Sequence, residues 1–153
     1  MPEPRIGDAA PDFSLKSTAG EMVSLAQFKG QKKVLLAFFP LAFTSVCEKE
    51  NCAFSEDYDK FEAKDTVVLP ISVDATPSQN AFRTRFGMKQ HLLSDFKRDA
   101  GRAYGVLDED KFFTKRAYFL VDKQGVVRWK HVEAELGHSR SDAELLAAID
   151  ATP

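Results

Sequence analysis

The chain has 153 residues, of which 44% are hydrophobic and thirteen are Phe, so it can bury one sizeable core and is too short to suggest two. Its 21 basic and 23 acidic residues are dispersed and leave a net charge of −2, which argues against nucleic acid or an anionic membrane as a partner. No apolar run approaches the ~20 residues of a membrane span, and the polar, proline-rich N-terminus has no signal-peptide core, so we expect one cytoplasmic domain over residues 1–153.

The first third of the chain predicts a β-hairpin followed by a buried strand. Alternating apolar positions over residues 13–25, with a turn at Gly20, predict two short paired strands. A charged loop at 27–33 leads into the run 34–39, which is apolar and partly β-branched and therefore typical of a strand buried on both faces. Pro40 is expected to end that strand because it lacks a backbone donor.

A helix is predicted to begin at Thr44, whose side chain can serve as its N-cap. Cys47 would then lie in the first turn, where free N–H groups and the positive end of the helix dipole favour a thiolate. This is the setting of a reactive cysteine, and two cysteines in a reducing compartment are expected to be redox-active rather than permanently bonded. Phe54, Tyr58 and Phe61, spaced at i, i+4 and i+7, are predicted to face the core.

The rest of the chain predicts alternating strands and helices. Pro70 interrupts the apolar run 66–73, so this strand is expected to bend or to meet a sheet edge there. In chain order the further elements are a helix from Thr76 or Ser78 to Phe86 ended by Gly87, a short strand at 91–93, a short helix at 100–104, a loop at 106–115, hairpin strands at 116–121 and 126–132, and a C-terminal helix capped by Ser141 or Asp142.

Three residues around the start of the first helix carry a resemblance to a known family. The spacing Pro40-x-x-x-Thr44-x-x-Cys47 resembles the signature loop of the peroxiredoxins, thioredoxin-fold enzymes in which a thiolate reduces hydroperoxides. The motif follows a buried strand and opens a helix, which is the context that it needs. The order of the predicted elements is similar to theirs as well. The resemblance therefore implies an α/β chain with a thioredoxin-like fold, in which helices flank a central mixed β-sheet and an N-terminal β-hairpin extends it.

The resemblance also implies roles for individual residues. A free cysteine is mostly protonated at neutral pH, and Arg116 looks like the arginine that stabilises the thiolate and donates to the peroxide oxygens. Thr44 would supply a hydroxyl to the peroxide, the backbone N–H of Cys47 would be a further donor, and Pro40 would shield the sulfur from water. Glu50 would either orient the arginine or be a solvated acid of the first turn.

Each of these residues also has a simpler explanation. Thr44 can be only a cap, Pro40 only a strand terminator, Arg116 a surface ion-pair partner, and Cys47 an inert buried side chain. Arg128 is a rival for the role of the arginine, although it fits its own strand less well. The combination of these residues at these spacings favours the peroxidase.

After one turnover Cys47 would be a sulfenic acid that a thiol must resolve. Cys52 is the internal candidate, and its offset of five resembles the Q-type (bacterioferritin comigratory protein) peroxiredoxins, which implies an intramolecular disulfide recycled by thioredoxin or a similar thiol reductant. On an intact helix the two Cα atoms lie about 8.6 Å apart, beyond the ~7 Å limit for a disulfide, so the helix would have to unwind. Residues 41–43 look instead like the one-cysteine, alkyl hydroperoxide reductase E-type branch, in which an external thiol would resolve Cys47 and Cys52 would only pack.

Two other functions stay open. A thioredoxin-fold thiol-disulfide oxidoreductase or redox sensor is disfavoured because the sequence has no C-x-x-C motif. A non-catalytic binding or holdase protein would use an exposed loop that carries Phe112 and Phe113.

We expect no metal or other cofactor, because the three histidines lack a ligand-like spacing with the cysteines. These are His91, His131 and His138. We expect a monomer or a homodimer, with Phe43 and the loop of Phe112 either lining a pocket for organic hydroperoxides or forming a dimer contact.

Overall fold

Apolar, partly β-branched residues build the middle of the sheet in the computed structural model, which describes residues 2–153. β3 (Lys33–Phe38) pairs in parallel with β4 (Thr66–Ser72) and antiparallel with β8 (Ala117–Val121). Every residue of β8, and every residue of β3 after the first, is buried, as expected of central strands that are covered on both faces. The predicted buried strand 34–39 is thus confirmed, with its last residue lying just beyond β3.

Four further strands complete the sheet. These are β1 (Ser14–Ser17), β2 (Met22–Ser24), β5 (Leu93–Ser94) and β9 (Val127–Val132). The order across the seven-stranded mixed sheet is β2-β1-β5-β4-β3-β8-β9, so the two predicted hairpins, β1–β2 and β8–β9, lie at opposite edges. β5 pairs with β4 only at Ile71 and Ser72, so β4 gains this neighbour just after Pro70. This agrees with the sheet edge that the proline predicts.

Helices cover both faces of the sheet. Within residues 2–153 they are α1 (Ser45–Glu56), α2 (Tyr58–Glu62), α3 (Thr76–Phe86), α4 (Asp99–Ala103) and α5 (Asp142–Asp150). α1, α2 and α5 contribute to one apolar core and α4 to the other. Successive residues of β8 alternate between the two cores, with Tyr118 and Leu120 facing α1 and with Ala117 and Phe119 facing the opposite side. The predicted architecture of a central mixed sheet flanked by helices is confirmed.

In the described part of the chain, every helix is too short or too polar to cross a bilayer. The predicted C-terminal helix is confirmed, and its N-cap is Ser141, whose side chain accepts from the N–H of Glu144. The predicted short strand and short helix are each displaced slightly, because the structure places them at Leu93–Ser94 and Asp99–Ala103.

Two predicted loops contain regular structure. A 3₁₀ helix over Leu25–Phe28 occupies the start of the predicted charged loop, because the Gln27 side chain accepts from the N–H of Ser24 at 3.0 Å and closes a turn there. The predicted loop 106–115 is a small hairpin of β6 (Leu107–Asp108) and β7 (Phe113–Thr114).

The first helix ends before Tyr58 and Phe61, although the predicted spacing of the three aromatic residues places both of them on it. α1 stops before Asp57, whose φ of −95° and ψ of 11° depart from helical values and rotate the chain into α2. Phe54 and Phe61 are buried and pack edge to face with ring centroids 6.0 Å apart, but Tyr58 is only half-buried. The prediction that all three aromatic residues face the core is therefore wrong for Tyr58.

The cap of α3 also differs from the prediction. Ala75, rather than Thr76 or Ser78, occupies the N-cap position, because Pro77 fits the first turn of the helix, where no backbone donor is needed. Gly87 ends α3 in a left-handed conformation with a φ of 61°, as predicted.

Candidate active site

The end of β3 and the start of β8 meet at one edge of the sheet. Because the two strands are antiparallel, Phe38 at the end of β3 lies opposite Ala117 at the start of β8. Arg116 therefore stands beside the loop that leaves β3 through Pro40 and enters α1. The fold thus joins Arg116 to Cys47, which lies 69 residues earlier in the sequence.

Cys47 is the third residue of α1, and its side chain is fully buried. The first N–H groups of a helix have no intrahelical acceptor, so this residue lies at the positive end of the helix dipole. Thr44 occupies the N-cap position, but its side chain makes no capping bond. Its hydroxyl donates instead to the carbonyl oxygen of Leu41 at 2.9 Å, because that bond closes the preceding turn. The prediction of a side-chain cap is therefore wrong, and the hydroxyl oxygen keeps its acceptor lone pairs.

Arg116 is buried, with 2% of its surface exposed, and lies against the sulfur. Its Nη2 donates to Sγ of Cys47 at 3.1 Å, and its Nη1 donates to Oε1 of Glu50 at 3.1 Å. Nη2 also approaches the carbonyl oxygen of Leu136 at 3.4 Å, whereas Nε has no acceptor within the described residues. Burial on its own lowers the pKa of Arg116, but Glu50 and Cys47 outweigh it and hold that pKa above its usual range. Arg116 is thus no surface ion-pair partner.

Glu50 is buried in α1 and is not a solvated acid. Its Oε1 accepts from Arg116, and its Oε2 accepts from the hydroxyl of Tyr118. Burial raises the pKa of Glu50, while Arg116 and the Tyr118 hydroxyl both oppose that rise. If Arg116 turned away, the Glu50 carboxylate would be left buried without a compensating charge, which is costly. The ion pair therefore holds the guanidinium in this orientation.

The loop that precedes α1 is held by Asp74, which lies two residues after the end of β4. Pro40 is buried at its start, and the N–H of Ala42 donates to Oδ2 of Asp74 at 2.8 Å. Phe43 adopts a left-handed backbone with a φ of 66°, leaves 49% of its surface exposed and packs against Phe82. The loop therefore presents an aromatic side chain to solvent next to Thr44.

Cys52 lies on the same helix as Cys47, and both thiols are free. Because α1 is continuous between them, helix geometry separates their Cα atoms by about 8.6 Å, too far for a disulfide. Cys52 is half-buried; burial, Glu48 and Glu56 raise the pKa of its thiol. At neutral pH a smaller fraction of Cys52 is therefore ionised to the thiolate than of an ordinary cysteine.

Two buried amide side chains fasten this part of α1. Nδ2 of Asn51 donates to the carbonyl oxygen of Cys47 at 3.0 Å, and Nε2 of Gln90 donates to the carbonyl oxygen of Asn51 at 2.7 Å. Any unwinding of residues 47–52 must break these two bonds as well as the helical ones.

The remaining candidate residues lie elsewhere. Arg128, the rival arginine, binds Asp122 at 2.6 Å, at the end of the β8–β9 pair that is remote from Arg116, so it cannot contact Cys47. Phe112 is exposed as predicted, whereas Phe113 is half-buried because it belongs to β7. Over residues 2–153, metal-ligating side chains do not gather in groups of three or more.

Three side chains that contact this site have no role predicted from the sequence. Tyr118 follows Arg116 by two residues in a strand, and that spacing places both side chains on one face. Asp74 follows the end of a buried strand, at the same edge of the sheet as Pro40, and this position in the sequence could have identified it as a neighbour of the site. Gln90 comes from the irregular segment after α3, where periodicity carries no information.

The sequence and the fold are similar to those of known proteins over nearly the whole chain. The model of the AhpC/TSA family matches residues 6–130. Alkyl hydroperoxide reductase E of Mycobacterium tuberculosis is 36% identical over 150 residues, which cover 95% of this chain and 98% of the relative. The chloroplastic 2-Cys peroxiredoxin BAS1 of Hordeum vulgare is 35% identical over 158 residues, which cover 97% of this chain and 75% of the relative. The reduced 2-Cys peroxiredoxin of Plasmodium vivax superposes with a TM-score of 0.88 at 34% identity, over 95% of this chain and 80% of that chain.

Proposed function

The chain belongs to the AhpC/TSA family and is a peroxiredoxin, a thiol-dependent peroxidase with a thioredoxin-like fold, and from this membership we propose that Cys47 is its peroxidatic residue. The observation that carries the assignment is the 3.1 Å contact from Nη2 of Arg116 to the buried Sγ. A cation at that distance, together with the positive end of the α1 dipole, makes this the sulfur best placed to act as a nucleophile.

The proposed reaction is a displacement at oxygen. The Cys47 thiolate attacks the terminal oxygen of ROOH, a sulfur–oxygen bond forms and the oxygen–oxygen bond breaks. The products are Cys47 sulfenic acid and RO⁻, which takes up a proton and leaves as ROH. Hydrogen peroxide and organic hydroperoxides both meet this description, with water or an alcohol as the product.

Donors around the sulfur support this step. Negative charge moves from the sulfur to the leaving oxygen, so N–H groups that are already aimed at the site stabilise the transition state. In this proposal the donors are the Arg116 guanidinium, whose Nη2 lies 3.1 Å from Sγ, and the backbone N–H of Cys47. The hydroxyl oxygen of Thr44 can accept from the peroxide, and the buried ring of Pro40 limits access of water. In this proposal Glu50 is a positioning residue, since it touches Arg116 and not the sulfur.

The sulfenic acid is then resolved by a thiol. In the first route Cys52 attacks the Cys47 sulfur, water leaves and an intramolecular disulfide forms, which thioredoxin or a similar dithiol reduces. This route requires α1 to unwind and uses a thiol whose pKa is raised. In the alternative route an external thiol reaches Cys47 and Cys52 stays reduced. We propose the first of these two routes. We also propose that residues 1–153 form one domain and that the protein acts as a monomer or a homodimer.

Intact mass after one equivalent of hydrogen peroxide tests these assignments, with the reaction stopped by denaturant and a thiol-blocking reagent. Wild-type protein should lose two hydrogens and both blockable thiols. Cys52→Ser should accumulate a sulfenic acid on Cys47 that dimedone traps, and Cys47→Ser should not react.

The two cysteine variants separate the two parts of the proposal. A wild-type sulfenic acid with Cys52 still blockable would keep the peroxidase and assign resolution to an external thiol. A Cys47→Ser variant that consumes peroxide as fast as the wild type would refute the role of Cys47.

A further inference from the structure

Both oxygens of the Glu50 carboxylate are occupied by groups from one strand region. Oε1 accepts from Arg116, and Oε2 accepts from the Tyr118 hydroxyl. Arg116 immediately precedes β8 and Tyr118 is its second residue, so the two side chains point to the same face, towards α1. One carboxylate on the helix is therefore held at two points by neighbouring side chains.

The hydroxyl of Tyr118 has a fixed direction. Its oxygen accepts from the backbone N–H of Arg140 at 3.0 Å, which leaves its own proton for Glu50. Tyr118 is fully buried, so no solvent competes for this proton. The hydroxyl thus acts as a bridge between the Glu50 carboxylate and the backbone that follows β9.

The segment 133–141 is joined to the same pair of residues from the other side. Nε of Arg140 donates to Oε2 of the buried Glu133 at 2.8 Å, and the N–H of Glu133 donates to the carbonyl oxygen of Arg116 at 2.9 Å. The carbonyl of Leu136 accepts from Arg116 as well. Arg116 and Tyr118 therefore lie between α1 and this segment.

We propose that Tyr118 is a positioning residue for peroxide reduction, because its hydroxyl keeps the Glu50 carboxylate in place and thereby keeps Arg116 aimed at the Cys47 sulfur. This inference rests on the proposed role of Cys47. Tyr118 touches neither the sulfur nor the peroxide, so its effect passes through Glu50 and Arg116 and depends on the ionised form of Glu50.

Charged and titratable groups reach Glu50 from every side. They are Cys47 across the shared guanidinium, Arg116, Tyr118, Glu133, Arg140 by way of Tyr118, and Asp142 at the start of α5. Burial raises the pKa of Glu50, and the Tyr118 hydroxyl lowers it. Removing the hydroxyl therefore makes Glu50 take up a proton at a higher pH, and a neutral Glu50 holds Arg116 less well. The resulting loss of rate should grow as the pH falls.

The test is the second-order rate constant of Cys47 with hydrogen peroxide, measured across pH by stopped flow on wild type, Tyr118→Phe, Glu50→Gln and the double variant. Tyr118→Phe should be about tenfold slower at neutral pH, the size of effect that one lost hydrogen bond to a charged group produces. Its deficit should widen towards low pH. The double variant should be no slower than Glu50→Gln alone, because Tyr118 has no carboxylate left to hold.

Tyr104→Phe is the matched control. Tyr104 is also fully buried, and its hydroxyl donates to the carbonyl oxygen of Pro11 at 2.7 Å, but it belongs to the core on the opposite face of the sheet. It should lose similar stability and keep the wild-type rate. Burial raises the pKa of Asp142 to about 7, so the series is repeated in an Asp142→Asn background to remove its titration.

A Tyr118→Phe rate and pH profile equal to those of the wild type would overturn the inference and leave the role of Cys47 intact. An equal loss in Tyr104→Phe, or full additivity with Glu50→Gln, would also overturn it. A wild-type protein whose Cys47 does not react with peroxide would overturn the inference together with the proposed function.

Discussion

The two cysteines lie on one helix, yet their surroundings are opposite in charge. Cys47 is in the first turn of α1, fully buried, with a guanidinium nitrogen 3.1 Å from its sulfur. Cys52 lies later in α1 between Glu48 and Glu56, which together with burial raise the pKa of its thiol. The sequence separation is five residues, but one sulfur is paired with a cation and the other is flanked by two acids. The cation beside Cys47 comes from a distant strand, whereas the acids beside Cys52 belong to its own helix.

The largest expected effect removes the cation from the Cys47 side of this comparison. Arg116→Lys keeps the charge but loses the planar fork that serves the sulfur and Glu50 together. We expect the rate constant for Cys47 with peroxide to fall by about 10²–10³-fold, as for loss of a preorganised donor to a developing oxyanion. Stopped-flow fluorescence or competition with a second peroxidase measures this constant.

Arg128→Lys is the control, because the exposed Arg128 binds the buried Asp122 and is remote from Cys47. It should react as the wild type does. An Arg116→Lys variant within threefold of the wild type would mean that the helix start alone activates the sulfur.

Much of the fold follows from the sequence because the central strands are apolar on both faces. The strands at 34–39 and 66–73 could be predicted because short, continuous apolar runs rich in β-branched residues are typical of strands buried on both faces. The hairpin β6–β7 could not be predicted, because apolar and polar residues do not alternate clearly in its acidic, Phe-containing sequence. It forms where Oδ1 of Asp108 accepts from the N–H groups of Asp110 and Lys111 at 3.0 and 3.1 Å, a local turn with no hydrophobic signature.

The site divides in a similar way. Cys47, Thr44 and Pro40 are close in sequence, so their spacing predicts them as a group, and the position of Arg116 at the start of a strand predicts it as their partner. The burial of Cys52 and the bond from Gln90 to α1 depend on tertiary contacts. An acid at i−4 or i+4 can be read from the sequence. A buried amide from a distant irregular segment cannot, because any polar residue there would give the same pattern.

A middle-sized effect concerns how firmly α1 keeps the two cysteines apart. Gln90→Ala removes the 2.7 Å bond to the carbonyl oxygen of Asn51, so residues 47–52 should open more often. One such bond contributes about 1 kcal/mol, which corresponds to roughly fivefold. Amides of residues 47–52 should therefore exchange hydrogen about fivefold faster, and disulfide formation after peroxide should accelerate by a similar factor.

Gln79→Ala is the matched control, since this buried amide donates to the carbonyl oxygen of Leu93 at 2.8 Å and not to α1. Its α1 amides should exchange as in the wild type. If Gln90→Ala leaves exchange in α1 unchanged, the helix is held by its own bonds and the amide has no part in keeping the cysteines apart. Faster exchange without faster disulfide formation would instead make a later step limiting.

The smallest expected effect acts on the acids around Cys52. Burial is the largest cause of its raised pKa and the Glu48 and Glu56 charges are the next, so Glu48→Gln with Glu56→Gln should lower that pKa without restoring an ordinary value. Neutral pH is below the pKa of the Cys52 thiol, so lowering that pKa increases the fraction of thiolate. In a Cys47→Ser background, alkylation of Cys52 by iodoacetamide should then rise about two- to threefold, the size expected for exposed charges screened by solvent. The gain in alkylation rate should shrink in 1 M salt and vanish at high pH, where the Cys52 thiol is fully ionised in both proteins.

Glu62→Gln on α2 is the control, and its Cys52 should be alkylated at the parent rate. If the double glutamine variant is also alkylated at the parent rate, burial alone sets the reactivity of Cys52.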